Sequence, residues 1–206
     1  MTENGYLTLA KFLLAACLTT MLSGCSLFSR VDNETQVALI NKLPAEIPQR
    51  ETHAETLLVL APATNPVYDT TRMVYRVEPY QIDYFSKHEW GATPAQMLHP
   101  LLTLSLENTH YFSTVVSPPY FGPYTYALHT EILELTQDFS SDPATLHLSL
   151  RVQLSDGTSK RIMSSWVISL QEQLQENTPY AGVAAANEAT AKALQEVTVF
   201  VLEAVR

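Results

Sequence analysis

The stretch from Leu146 to Leu154 constrains the fold more than any other. Leu146, Leu148, Leu150, Val152 and Leu154 alternate with His147, Ser149, Arg151 and Gln153. Successive strand side chains point to opposite faces, so this period of two requires a strand with one buried face and one wet face. Ser155-Asp156-Gly157-Thr158 supplies a hairpin turn. The return strand then sets Ile162, Ser164, Trp166, Ile168 and Leu170 on one face. A longer strand is predicted upstream, from about Tyr126 to Asp138.

The rest of the chain reads as shorter pieces. Leu57-Leu58-Val59-Leu60-Ala61, ended by Pro62, suits a buried strand. Arg72 to Val77 alternates and is closed by Pro79, with Tyr80 to Phe85 as its hairpin partner and Phe112 to Val116 as a further strand. Thr93 before Pro94 is a helix start, an N-cap followed by proline at the first helical position. Met97, Leu98, Leu101, Leu102 and Leu106 give the apolar face of a helix over 94–109, which Pro100 should kink. Val183, Ala186, Thr190, Leu194, Val197 and Val201 recur at helical steps from Tyr180 to Ala204, in an Ala-rich segment. The order of strands, helix, strands and helix implies α+β, a mainly antiparallel sheet with two helices packed on one face.

The N-terminus points to export. Lys11 precedes an apolar run, Phe12 to Leu22, that is too short to span a bilayer and has the length of a signal-peptide core. Leu22-Ser23-Gly24-Cys25 follows, with small residues ahead of a cysteine. This reads as a lipobox: cleavage before Cys25, with the thiol carrying a diacylglyceryl group. An ordinary signal peptide with an incidental cysteine is the competing reading. The only other cysteine, Cys17, falls within the removed segment, so the mature chain has no intramolecular disulfide and no Cys-based metal or redox site. Two or three acyl chains on Cys25 would anchor the protein stably, where one alone binds marginally. Ser26, in place of a retention aspartate, favours the outer membrane over the inner.

Removing residues 1–24 from the 206 leaves 182, enough for one domain with a sizeable core. Residues 25–55 read as a lipidated N-terminus and linker, with a short ordered piece around Val37 to Leu43, and residues 56–206 as the domain. The net charge of −9 argues against nucleic acid as a partner.

No motif carries chemistry. The six glycines form no G-x-S-x-G, G-x-G-x-x-G or P-loop pattern. His53, His88, His99, His110, His129 and His147 lack metal-ligand spacing, so no cofactor or metal is expected. Asp83 with Glu89, or Glu131 with Glu134, could pair for acid–base work, but solvated faces of an acidic protein explain them better. A serine triad assembled from distant positions stays open. Aromatics cluster twice, at Tyr75, Tyr80, Tyr84, Phe85 and Trp90, and at Tyr120, Phe121, Tyr124 and Tyr126. Such residues suit cores and interfaces alike. Trp90 is better read as packing. The Pro118–Tyr124 loop is better read as binding, because it has no evident core to fill.

Several of these segments, taken in order, resemble a family. Leu58-Val59-Leu60-Ala61-Pro62, Met73-Val74-Tyr75-Arg76, Tyr84-Phe85, Trp90, a Leu-rich helix and Tyr111 to Val115 look like the ABC-type transport auxiliary lipoproteins. These are the PqiC-like components that accompany MCE-domain proteins. The Tyr126–Leu135 strand, the Asp156-Gly157 hairpin and the Ala184-to-Ala189 helix fit as well. The chain departs from the pattern in its opening strand, where Ala38-Leu39-Ile40 is the only candidate, and at Phe200, where tryptophan is usual.

The resemblance implies a non-catalytic role in moving lipid between two membranes, through contact with an MCE-domain protein. Taken with the aromatic loop and the lipobox, it leaves Tyr75, Arg76, Trp90, Tyr120, Phe121 and Tyr124 as candidate interface or packing residues and Cys25 as the lipid attachment. The alternatives are a lipoprotein of another envelope assembly, such as a secretion pilotin or cell-wall synthase activator, and a lipid-anchored hydrolase. The sequence leaves self-association open.

Overall fold

The alternation around Leu150 becomes the middle strand of a long meander. A computed structural model describes residues 34–206 of the protein. The signal segment, Cys25 and the start of the linker lie outside the described residues.

In chain order the elements are β1 (Gln36–Ala38), β2 (His53–Val59), β3 (Ala63–Thr64), β4 (Arg72–Arg76) and β5 (Asp83–Trp90). They continue with α1 (Pro94–Glu107), β6 (Phe112–Val116), β7 (Tyr126–Asp138), β8 (Thr145–Asp156), β9 (Ile162–Gln173) and α2 (Pro179–Ala204). The twelve-residue β8 pairs antiparallel with β7 on one side and β9 on the other. Its even-numbered residues from Leu146 to Leu154 are all buried. The free edge of β7 is lined in succession by β2, β3 and β4, each in short parallel register. β6 extends the sheet from β2, and β5 extends it from β4 as an antiparallel partner. The sheet is thus mainly antiparallel along its long strands, as expected, and the short crossovers that close it are parallel.

The first helix forms as its start signal predicts, and the second begins one residue before its expected start. Thr93 caps α1 in a reciprocal box: its hydroxyl accepts from the Gln96 amide, and its own amide donates to the Gln96 side chain. Pro100 sits inside α1 on its exposed side, where the freed carbonyl of Gln96 faces solvent. Thr178 caps α2, with Pro179 in its first turn. α2 packs across β8 and β9, and α1 lies against α2, β2 and β6. One continuous core joins Leu102, Leu106, Leu128, Leu150, Leu194 and Val201.

The linker expected to run to residue 55 contributes to the fold from Gln36 onward. β1 pairs with β5, and Ile40 is buried in the core. Asn187 of α2 clamps the segment between them. Its Oδ1 accepts from the amides of Asn41 (2.9 Å) and Lys42 (3.1 Å), and its Nδ2 donates to the Leu39 carbonyl (2.9 Å). Lys42 also pairs with Glu188. The fold therefore takes in some twenty residues before Thr56, held by an asparagine in the segment that carried the family resemblance.

Candidate partner interface

The two aromatic clusters lie at opposite ends of the sheet. β4 and β7 run parallel and finish side by side, with Arg76 opposite Asp138. The β4–β5 turn therefore projects from that end. β5 runs back from it, and β1 is parallel to β5, so the polypeptide enters the fold from the same end. The Pro118–Tyr124 loop precedes β7 and lies at the far end, beside the β8–β9 turn.

In the first cluster the nominated residues are packed, Tyr75 and Arg76 at the entry end and Trp90 at the opposite end of β5. Trp90 is only 4% exposed and belongs to the core. Tyr75 stacks on Phe85 (4.4 Å between centroids), with Phe139 edge-on to both. Arg76 donates from Nε (2.8 Å) and a terminal nitrogen (2.5 Å) to Asp138 Oδ2, while Asp138 Oδ1 accepts from the amide and hydroxyl of Ser140. Burial pushes the Asp138 carboxyl up. The Arg76 guanidinium and the Ser140 donors outweigh that and hold it at about 2. The Asp138 side chain is nearly buried, so this pair fixes β4 to β7 and is not a recognition group awaiting a ligand.

At the far end the loop is a rigid mount for one exposed ring. Tyr120 folds back, its hydroxyl donating to the Pro123 carbonyl (3.1 Å). Its ring occupies the space that a Cβ on Gly122 would need. The Tyr124 ring is capped by the Lys160 ammonium at 4.2 Å, which also donates to the Tyr124 hydroxyl (2.6 Å). Gly157 lets the β8–β9 turn press onto the Tyr124 carbonyl, where any side chain would collide. The turn itself is wound on Asp156, whose carboxylate accepts from the amides of Ser159 and Thr158. Those bonds, Ser159 first, lower its pKa against a smaller opposing effect of burial. Between these fixed aromatics Phe121 is 97% exposed. A phenyl ring held in water by a braced loop is the arrangement expected of an interface anchor.

Sequence reasoning missed an apolar strip beside this loop. Ile162, Met163, Trp166 and Val167 of β9 are all substantially exposed, on both faces of a strand paired only with β8 among the described residues. Trp166 stacks on Phe200 of α2, while Ile162 is left uncovered. Apolar residues on both faces of β9, at Ile162 and Met163 and again at Trp166 and Val167, were the available signal.

Among the described residues neither a complete triad nor a metal-binding group is assembled. An open cleft of about 490 Å³ is lined by Leu60, Ala61, Pro118, His129, Glu131 and Arg151 among others, and Arg151 and Glu131 neutralise each other across it. His129 Nε2 meets Ser155 Oγ at 3.1 Å, and partial burial lowers the His129 pKa. Ser155, however, is buried, and its hydroxyl also donates to the Ala127 carbonyl. Among the described residues no carboxylate is seen to orient His129, so the pair lacks the third member of a triad. No group of three His, Cys, Asp or Glu side chains converges on a metal position among the described residues. Nor is any described helix long and apolar enough to cross a membrane.

A model of the ABC-type transport auxiliary lipoprotein component family matches residues 38–198. Among curated proteins none matches. Among solved structures the chain is similar to protein XCC0632 from Xanthomonas campestris, at a TM-score of 0.72 and 17% identity, over 82% of this chain and 95% of that one. An uncharacterized protein follows at a TM-score of 0.67 and 13% identity, over 82% and 99%. At these identities the two structures establish the shared fold.

Proposed function

The chain belongs to the ABC-type transport auxiliary lipoprotein family, and from that premise we propose that it is the non-catalytic, lipid-anchored component of an MCE/ABC intermembrane lipid transport system. Residues 1–24 are the signal peptide, Cys25 carries the acyl chains, and a tether runs from there to β1. The domain faces the periplasm from the outer membrane. It engages an MCE-domain protein through the braced Pro118–Tyr124 loop, with Phe121 as the anchor.

The observation that supports this reading is the polarity of the domain: the chain enters at one end, and Phe121 stands exposed at the other. A protein tethered at one end meets a soluble or membrane-spanning partner most readily with the opposite end. Site-specific photocrosslinking in cells tests the assignment. A photoreactive residue in place of Phe121 is expected to capture an MCE-domain protein, whereas the same residue in place of Ser141, at the entry end, is not. Capture from Ser141 alone would contradict the assigned orientation, and capture of a secretion or cell-wall component from Phe121 would contradict the partner.

A further inference from the structure

The β4–β5 turn ends in an apolar apex that stays exposed among the described residues. Val77 is 54% exposed and Ile82 41%, and Tyr80, with backbone φ of 67°, is fully exposed. Behind the apex the hairpin is stiff. Arg76 is tied to Asp138, Tyr75 is stacked on Phe85, and the Arg72 guanidinium lies 3.7 Å from the centre of the Tyr84 ring. A braced hairpin with an apolar, tyrosine-bearing tip does not serve the core, because its side chains reach into solvent.

The strand directions say where this tip points. β1 is parallel to β5, with Gln36 opposite His88, so the N-terminal end of β1 faces the side of Asp83 and the turn. From His88 back to Asp83 is about 17 Å at the usual strand rise. Gln36 is eleven steps along the chain from Cys25, and even fully extended these cannot carry the sulfur more than about 40 Å away. The apex therefore lies within the anchor's reach and on the side toward which the N-terminal end of β1 faces.

We propose that Val77, Tyr80 and Ile82 form a second membrane contact, entering the headgroup layer of the bilayer that holds the acyl chains of Cys25. This rests on the acylation proposed above. Tyrosine with aliphatic neighbours suits that layer, where one end of the ring is apolar and the other wet. Glu78 and Asp83 flank the tip, so anionic lipid does not attract it. The contact is apolar, insensitive to salt, and made because the tether supplies proximity. It turns a loose leash into a two-point attachment that fixes which end of the domain faces away.

The test uses the full mature, acylated chain, in which a cysteine introduced as Gln81→Cys is the only free thiol. The labelled protein is reconstituted into phosphatidylethanolamine–phosphatidylglycerol vesicles, and flotation reports anchoring. The expected result is several-fold protection of the label from a water-soluble quencher, at low and high salt alike, while a label at Ser159→Cys stays accessible. Replacing Val77, Tyr80 and Ile82 together by serine should return the Gln81 label to water without lowering the melting temperature, because all three side chains are exposed. Floated protein whose two labels are equally accessible would overturn the apex contact and leave the anchor standing. Unchanged protection in the triple-serine variant would overturn it as well. Protein that does not float would refute acylation, and the inference would fall with it.

Discussion

Replacing Asp138 by Asn tests whether the entry end is held by charge. Asp138 carries the Arg76 guanidinium and both Ser140 donors, and its carboxyl is held at about 2 against an ordinary 3.8. Holding it there corresponds to about 2 kcal/mol at neutral pH. The sign follows from the depressed value. The stabilisation is fully present above the unfolded carboxyl's pKa, near 4, and is lost as pH falls through about 2. Urea unfolding at a series of pH values from 7 downward measures it. Asp138→Asn should be less stable than the parent by about 2 kcal/mol at pH 7, a drop in melting temperature of roughly 4–8 °C for a domain of this size. The difference should shrink below pH 4 and nearly vanish toward pH 2. Carboxylates remote from the pair titrate alike in both proteins and cancel, whereas Glu134, which shares Arg76 at 3.8 Å, and His147, 3.5 Å from Asp138, are replaced in control variants. A stability gap that stays constant across this range would refute the charge pairing and leave only packing.

Trp90→Ala removes a core side chain and should cost about 3–5 kcal/mol by thermal unfolding. An unchanged melting temperature with weakened partner capture would instead make Trp90 an interface residue. In Gly182→Ala the new methyl meets the buried Gln137 side chain, so overpacking of about 1–3 kcal/mol should outweigh the helix-propensity gain of about 1. Gln137→Ala in the same chain should relieve most of the loss in a double-mutant cycle. Asn187→Ala frees the segment between Leu39 and Lys42, so hydrogen exchange should show early loss of protection at the Asn41 and Lys42 amides, while β8 amides keep theirs.

The long elements were legible because their patterns are long. β8 alternates over nine residues, and all five predicted inward side chains are buried. α1 begins at the threonine–proline pair read as its start, and α2, read from its periodicity alone, begins at a second such pair, Thr178–Pro179. β9 was half legible: Ile168 is buried as its period requires, but Trp166 and Ile162 on the same face are exposed, Trp166 resting on Phe200 of α2 and Ile162 left uncovered. β1 offers three residues and no period, and its place is set by β5 and by an asparagine almost 150 positions away. Arg76 and Asp138 lie 62 positions apart and meet only because β4 reaches the end of β7. For the same reason the opposition of the two aromatic clusters could not be read from spacing, since it depends on strand direction. Trp90 is buried and Phe121 exposed: one closes a strand that joins the core, and the other sits between prolines in a loop.

The central claim is that this lipoprotein serves an MCE transport system through its folded domain. Affinity purification of the tagged, acylated protein from gently cross-linked membranes, with partners identified by mass spectrometry, tests it most directly. The account predicts recovery of an MCE-domain protein, retained when Cys25 alone anchors the native domain and lost when Phe121 is replaced by Ser in a domain of unchanged stability. Recovery of secretion or cell-wall synthesis proteins in its place would contradict it.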